Sequence, residues 1–292
     1  MKALTNQLAI RQFQGFAVHV LENNEVQVAV VPELGAKIIS LKNMRTGREW
    51  LWHPHNGLRL FRNQPHDDFS KSPLAGIDEC LPTIAPCVWR DHELSDHGEV
   101  WNHAWQVDAD AWQSGVLSTI IRLKTSPFIF RRNIELRDNE VRLDYELANL
   151  SNKPEPFVWA MHPLLRLVAG DQLELPESTR QLLGGEDWVR AVATAVPDKD
   201  CAKIFASPVS EGWAAIKNEV LGDRLEFAWD AGENGSLGLW LTRGGWHGHH
   251  HFAIEPTNAN HDSLAVAAVE NRCGRVPVEG SINWTLCLRI GL

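Results

Sequence analysis

The stretch FIFRRNIELRDNEVRLDYELAN, residues 128–149, alternates apolar and polar side chains twice over, with Asp138 and Asn139 between the two runs. A period of two sends successive side chains to opposite faces of an extended strand, so each run has one face to bury and one to leave in water. The pattern repeats outward in both directions. It recurs in FAVHVLE (16–22), VQVAVVPE (26–33), KIISLKN (37–43), WQVDADAWQ (105–113), LSTIIRLK (117–124), SLGLWLT (236–242) and INWTLCLRI (282–290). Gly, Pro, Asn or Asp bounds each run, at a spacing of roughly ten to twelve residues, which reads as strands. The one stretch that invites a helix, GEDWVRAVATAV (185–196), lacks an amphipathic face running from cap to cap. No linker, repeat or low-complexity segment interrupts the chain. The expectation is an all-β protein, one domain over residues 1–292, built as a large β-sandwich or strongly curved double sheet.

Composition limits the function. With 292 residues, 44% hydrophobic and 22% charged, the chain can bury a sizeable core and is not disordered. A net charge of -9 argues against nucleic acid and anionic membrane surfaces as partners, since both reward clustered Lys and Arg. The N-terminal MKALTNQLAIRQFQG has no signal-peptide core, and no apolar run is long enough to span a bilayer, so a soluble, cytoplasmic protein is expected. Cys80, Cys87, Cys201, Cys273 and Cys287 are odd in number and scattered, which suits reduced thiols better than a disulfide framework or a zinc knuckle.

Certain polar residues interrupt apolar strands. In PFVWAMHPLLRL (156–167), alternation sets Val158, Ala160 and His162 on one face and Phe157, Trp159 and Met161 on the other, with Pro163 next. Glu255 ends the apolar run of HGHHHFAIEPTNANHDSL (247–264) in the same way, directly before Pro256. Proline cannot donate a ladder hydrogen bond and belongs at a strand end, an edge or a bulge. The strand is therefore expected to stop at Glu255, leaving both side chains at the mouth of the sheet. Taken singly, each also reads as a structural histidine or a solvated glutamate leaving the sheet.

Two further segments carry candidates. In SDHGEVWNHAW (95–105), Asp96, His97, Gly98 and Glu99 form a tight polar turn, and GIDECLPTIAPC (76–87) sets Asp78 and Glu79 in an apolar, proline-rich setting that could shape a pocket. The HGHHH cluster offers a metal alternative, because alternation would place His247, His249 and His251 on one face of a strand.

Taken in order, VVPELGAKIISLKN (30–43), GIDECLPTIAP (76–86), DHGEVW (96–101), WAMHPLL (159–165) and IEPT (254–257) resemble the aldose 1-epimerase (galactose mutarotase-like) family, over nearly the whole chain from about residue 20. The resemblance implies a β-supersandwich that interconverts the α and β anomers of a sugar without cofactor or metal. It implies His162 as general acid on the ring oxygen, Glu255 as general base on the anomeric hydroxyl, and His97 as a group that holds a sugar hydroxyl. The alternatives are a non-catalytic sugar-binding module of the same fold, a sugar-phosphate mutarotase, and a lyase or glycosidase sharing the fold. The chain departs from the galactose-type pattern, with AMHPLL around the acid. Its segment order is closer to the hexose-6-phosphate branch, yet DHGEVW supplies Glu99 where that branch contributes phosphate recognition. With Asp78, Glu79 and Asp96 nearby, a phosphate would meet repulsion, so the expected partner is an unphosphorylated small-molecule sugar. No oligomeric state is implied. Thirteen Trp against one Tyr must mostly fill the core. Trp101 and Trp246, by position, are expected to stack on the sugar beside Asp78, Glu79 and His97.

Overall fold

The computed structural model describes residues 6–64, 67–183 and 198–291. Along the chain run β1 (Gln7–Phe13), β2 (Phe16–Glu22), β3 (Val26–Val31), β4 (Lys37–Asn43), β5 (Ile77–Cys80), β6 (Cys87–Trp89), β7 (His92–Leu94), β8 (Gln106–Val107), β9 (Leu117–Arg122), β10 (Phe128–Arg137) and β11 (Glu140–Asn149). They continue as β12 (Glu155–Phe157), β13 (Ala160–Pro163), β14 (Gln172–Glu174), β15 (Cys201–Ala206), β16 (Trp213–Asn218), β17 (Asp223–Trp229), β18 (Ser236–Arg243), β19 (His250–Thr257), β20 (Gly274–Val276) and β21 (Ser281–Gly291). Among the described residues the α-helices are short: α1 (Ala109–Gln113), α2 (Glu177–Leu182) and α3 (Leu264–Val269). None is long and apolar enough to cross a membrane.

Two large antiparallel sheets form the body. One has nine strands in the order β1-β2-β3-β4-β5-β13-β19-β18-β15, the other eight in the order β14-β16-β17-β21-β11-β10-β9-β8. Their inner faces share one core that draws Val28, Ile38, Met161 and Leu239 from the first sheet and Phe130, Leu143, Phe227 and Leu286 from the second. The fold is all-β, as the period of two requires. In β10 and β11 burial alternates residue by residue, and the strands pair in register from Phe128↔Asn149 to Arg137↔Glu140. Each fully buried Phe, Ile or Leu on that inner face is worth about 1.5–3 kcal/mol relative to exposure.

That inner face also carries a charge. Arg132, opposite Tyr145 in the ladder, is fully buried, and its guanidinium crosses the sandwich to Glu79 at 2.8 Å.

Two expectations change. WQVDADAWQ is a strand only at Gln106–Val107, because Asp108 caps a helix by accepting hydrogen bonds from the Asp110 and Ala111 amides. GEDWVRAVATAV lies outside the described residues. The five cysteines are unbridged thiols.

Candidate active site

The nine-stranded sheet opens at one seam. Strands β13 and β19 pair at Ala160↔Thr257, and just beyond β13 Leu165 bridges Phe252, with amide-to-carbonyl bonds of 2.7 and 3.2 Å in the two directions. Between these closures no ladder pair joins the two strands, and the common register sets His162 opposite Glu255. Pro163 and Pro256 both lie inside the open interval. A residue without an N–H fits where the ladder is unmade, so the two prolines mark a gap and not a strand end. The expectation that the strand stops at Glu255 is thus corrected: β19 continues through Pro256 to Thr257.

A cavity of about 210 Å³ opens over this gap, lined among others by Phe69, Asp96, His97, His162, Trp246 and Glu255. At about 30 Å³ per water that is the space of about seven waters, the scale of one sugar ring. The His162 Nε2 and Glu255 Oε1 atoms stand 3.6 Å apart. Glu255 is fully buried, and neither carboxylate oxygen has an aligned hydrogen bond. Its charge is met by Lys203 of β15, whose Nζ lies 2.8 Å from Oε2 and 2.7 Å from Asp262 Oδ1. Burial opposes the Lys203 charge, but Glu255 and Asp262 outweigh it and raise the ammonium above the ordinary lysine range. Gly238 faces Glu255 in the β18–β19 ladder, and a Cβ there would stand 3.2 Å from Oε2, so a bare backbone leaves the carboxylate its room.

His162 is held neutral. Burial, reinforced by the charges of His97, Lys203 and Lys37, pushes its imidazole well below the usual range, and Nδ1 is buried without a hydrogen-bond partner. His97 approaches from the polar turn and stacks on Phe69 at 3.9 Å between ring centres, 11° from parallel, with its edge toward His162 at 5.0 Å. Its backbone is left-handed, and Gly98 beside it comes so close to Leu81 that an added Cβ would lie 2.0 Å from the Leu81 carbonyl oxygen. Asp96 holds the ring: Oδ1 is 2.9 Å from His97 Nδ1, and Oδ2 accepts from the Phe69 amide at 3.0 Å. A carboxylate can only accept, so Nδ1 carries the proton and Nε2 is left for a hydroxyl. Burial would raise the Asp96 carboxyl, but the His97 bond and charge and the Phe69 amide leave it below its usual range.

Of the residues singled out in the sequence, His162, Glu255, His97 and Trp246 line this cavity, while Asp78, Glu79 and Trp101 do not. Asp78 is opposite His162 in the β5–β13 ladder, but its carboxylate is paired with the buried Lys37. Glu79, one residue on, points into the core and accepts from Arg132, Tyr145 at 2.9 Å and Trp159 at 2.9 Å. Burial raises both carboxyls against the pull of those partners. Trp101 lies beneath Phe69, ring centres 5.2 Å apart, with Nε1 donating to the Asp96 carbonyl at 2.9 Å. Glu99 instead receives the Lys124, Thr125 and Ser126 amides. In the histidine cluster the rings of His247 and His249, and of His249 and His251, stand 6.5 and 6.4 Å apart, centre to centre. Only His251 lines the cavity, and among the described residues no three metal-ligating side chains converge.

A family model described as aldose 1-epimerase matches residues 17–188, more than half of the chain. The chain belongs to the aldose 1-epimerase family. Its fold is galactose mutarotase-like, shared with several solved structures. A protein from Synechocystis sp. PCC 6803 superposes with a TM-score of 0.74 at 16% identity, over 97% of this chain and 99% of that one. A galactose mutarotase-like protein from Clostridium acetobutylicum gives 0.72 at 15% identity over 100% of both chains. Another from Lactobacillus casei ATCC 334 gives 0.65 at 13%, over 94% of this chain and 99% of that one. No curated protein matches in sequence. The aldose 1-epimerase match spans His97 and His162 but ends before Lys203 and Glu255, which the fold alone brings to them.

Sequence reasoning missed Phe69, Lys203, Trp240 and Asp262 as lining residues. A signal existed for Lys203, a lone cation in the short run CAKIFA (201–206) that faces Trp240 across the ladder. Phe69 sits in a 3-10 turn whose placement depends on Asp96, and nothing local announces it.

Proposed function

We propose that the protein is an aldose 1-epimerase that interconverts the anomers of an unphosphorylated sugar, with Glu255 as base and His162 as acid. The observation that carries this is the facing pair in the open seam, His162 Nε2 3.6 Å from Glu255 Oε1 over a cavity of ring size. Ring opening takes a proton from the anomeric hydroxyl, breaks the bond from the anomeric carbon to the ring oxygen, and adds a proton to that oxygen. Glu255 receives the first proton, and His162, neutral at rest, takes a proton from solvent and as imidazolium supplies the second. Rotation about the bond between C1 and C2, then the reverse transfers, closes the other anomer and restores both groups. The burial that keeps His162 neutral at rest makes its protonated form a strong donor.

His97 holds a hydroxyl through Nε2, and Trp246 with Trp240 supplies apolar wall for a pyranose face. The cation of the lining, Lys203, is already shared by two carboxylates, and Asp96 adds a third, so the cavity favours a neutral ligand. Anomer exchange followed by NMR over a panel of aldoses tests the proposal. Catalysed exchange of at least one neutral aldose is expected, and binding without exchange would make this a sugar-binding module instead.

A further inference from the structure

Lys203 has no counterpart among the residues the sequence points to, yet it is the group closest to the charge of the proposed base. Its ammonium is clamped between two carboxylates, Glu255 Oε2 at 2.8 Å and Asp262 Oδ1 at 2.7 Å, with only 18% of its side chain exposed. Asp262 is itself fixed, because its carbonyl accepts the Ile84 and Ala85 amides at 2.8 Å each and the Thr83 hydroxyl at 3.2 Å. The loop after β19 and the loop after β5 are thus tied together at the point where Lys203 leans in from β15.

We propose that Lys203 is the positioning residue of this site: it meets the Glu255 carboxylate as its counter-charge and aims it at the cavity, and Asp262 holds Lys203. This rests on the reading of Glu255 as the base.

A fully buried carboxylate without an aligned hydrogen bond loses its hydration, and that loss favours the neutral acid. The groups facing Glu255 from the packed elements are His162 of β13, Cys80 of β5, His97 of the polar turn, Asp262 and Lys203, with His251 further along its own strand. Burial keeps His162 neutral and raises the Cys80 thiol, so neither supplies positive charge beside Glu255. Asp262 is of the wrong sign. His97 gives its Nδ1 to Asp96 instead, so Lys203, at 2.8 Å, is the cation in direct contact with Glu255, and an opposite charge at this range moves a carboxyl by about one to three pH units.

The Glu255 side-chain carboxyl can be titrated directly by carbon-13 NMR, its signal assigned as the one missing in Glu255→Gln, so the readout does not depend on turnover. In Lys203→Met the midpoint should rise by at least one pH unit, and in Lys203→Arg it should stay within about half a unit of wild type. Lys203→Gln, which keeps a polar group without the charge, should raise the midpoint likewise and provides the test if Lys203→Met does not fold. A midpoint unmoved in the charge-free variant that folds overturns the proposal. Absence of anomer exchange by the unaltered protein would instead count against the epimerase reading and leave these shifts to be read as they stand.

Discussion

His162 and Glu255 face each other across an unpaired interval of the nine-stranded sheet, Nε2 to Oε1 at 3.6 Å, each followed by a proline. The pair can be tested by near-isosteric change. His162→Asn and Glu255→Gln should each slow anomer exchange at least 100-fold, about 2.7 kcal/mol, with circular dichroism and melting little altered. Rates near wild type in either variant would remove that residue from the chemistry.

His97 is held from two sides, by Asp96 at Nδ1 and by Phe69 across its face. A hydroxyl bond made in both ground and transition states acts on KM, and one that also aligns the ring acts on turnover. His97→Ala should raise KM and lower kcat, the latter less than His162→Asn does. Phe69→Ala should reproduce part of both effects. A lower melting temperature with unchanged kinetics would show that His97 only closes its turn.

Charge at the cavity separates neutral from phosphorylated sugars. Asp96, Asp262 and Glu255 outnumber Lys203 among the lining groups, so kcat/KM for a neutral aldose should exceed that for its 6-phosphate. Added salt should narrow the difference by screening the exposed part of the repulsion. Preference for the phosphate at low salt would contradict the assignment of substrate class.

Glu79 belongs to the core. Arg132→Met would strand its carboxylate between the sheets and should cost about 3–5 kcal/mol in urea unfolding, the usual cost of breaking one side of a buried pair. Glu79→Gln should leave KM for the sugar within about twofold of wild type, and a larger change would return Glu79 to the ligand.

Acid stability should follow the buried imidazoles. Burial first, then the neighbouring imidazoles of His162, His249 and His250, holds His251 well below its ordinary range, and neither ring nitrogen has a partner. Below about pH 6.5 the unfolded chain binds a proton there that the folded chain refuses. The stability from a neutral His251 is therefore complete above that pH and is lost as pH falls toward the folded value. His251→Gln should flatten the decline in melting temperature between pH 7 and 5 relative to wild type, and an equal slope would refute the assignment.

The fold was readable because alternation is local: β2, β4 and β11 begin and end where their runs do. The candidate site was readable where a proline stood beside a polar residue, which singled out His162 and Glu255. Adjacent acids were not separable in this way. Asp78 and Glu79 point to opposite faces of β5, and their partners Lys37 and Arg132 come from β4 and β10, so only the assembled sandwich shows that both are committed. WQVDADAWQ failed for a different reason. Its alternation was genuine over two residues, but Asp108 offered an N-cap that the pattern of apolar residues conceals.

The gap between Ala160↔Thr257 and Leu165↔Phe252 sets two selective demands against each other. A sheet gains from every rung it can form, and residues with an amide hydrogen at 163 and 256 would supply donors where the ladder is now unmade. Closing those rungs would bind the backbones of β13 and β19 to each other along the interval where His162 meets Glu255. Thermostability screens scored on melting temperature alone would therefore be drawn toward replacing Pro163 and Pro256, the two residues that follow the proposed acid and base.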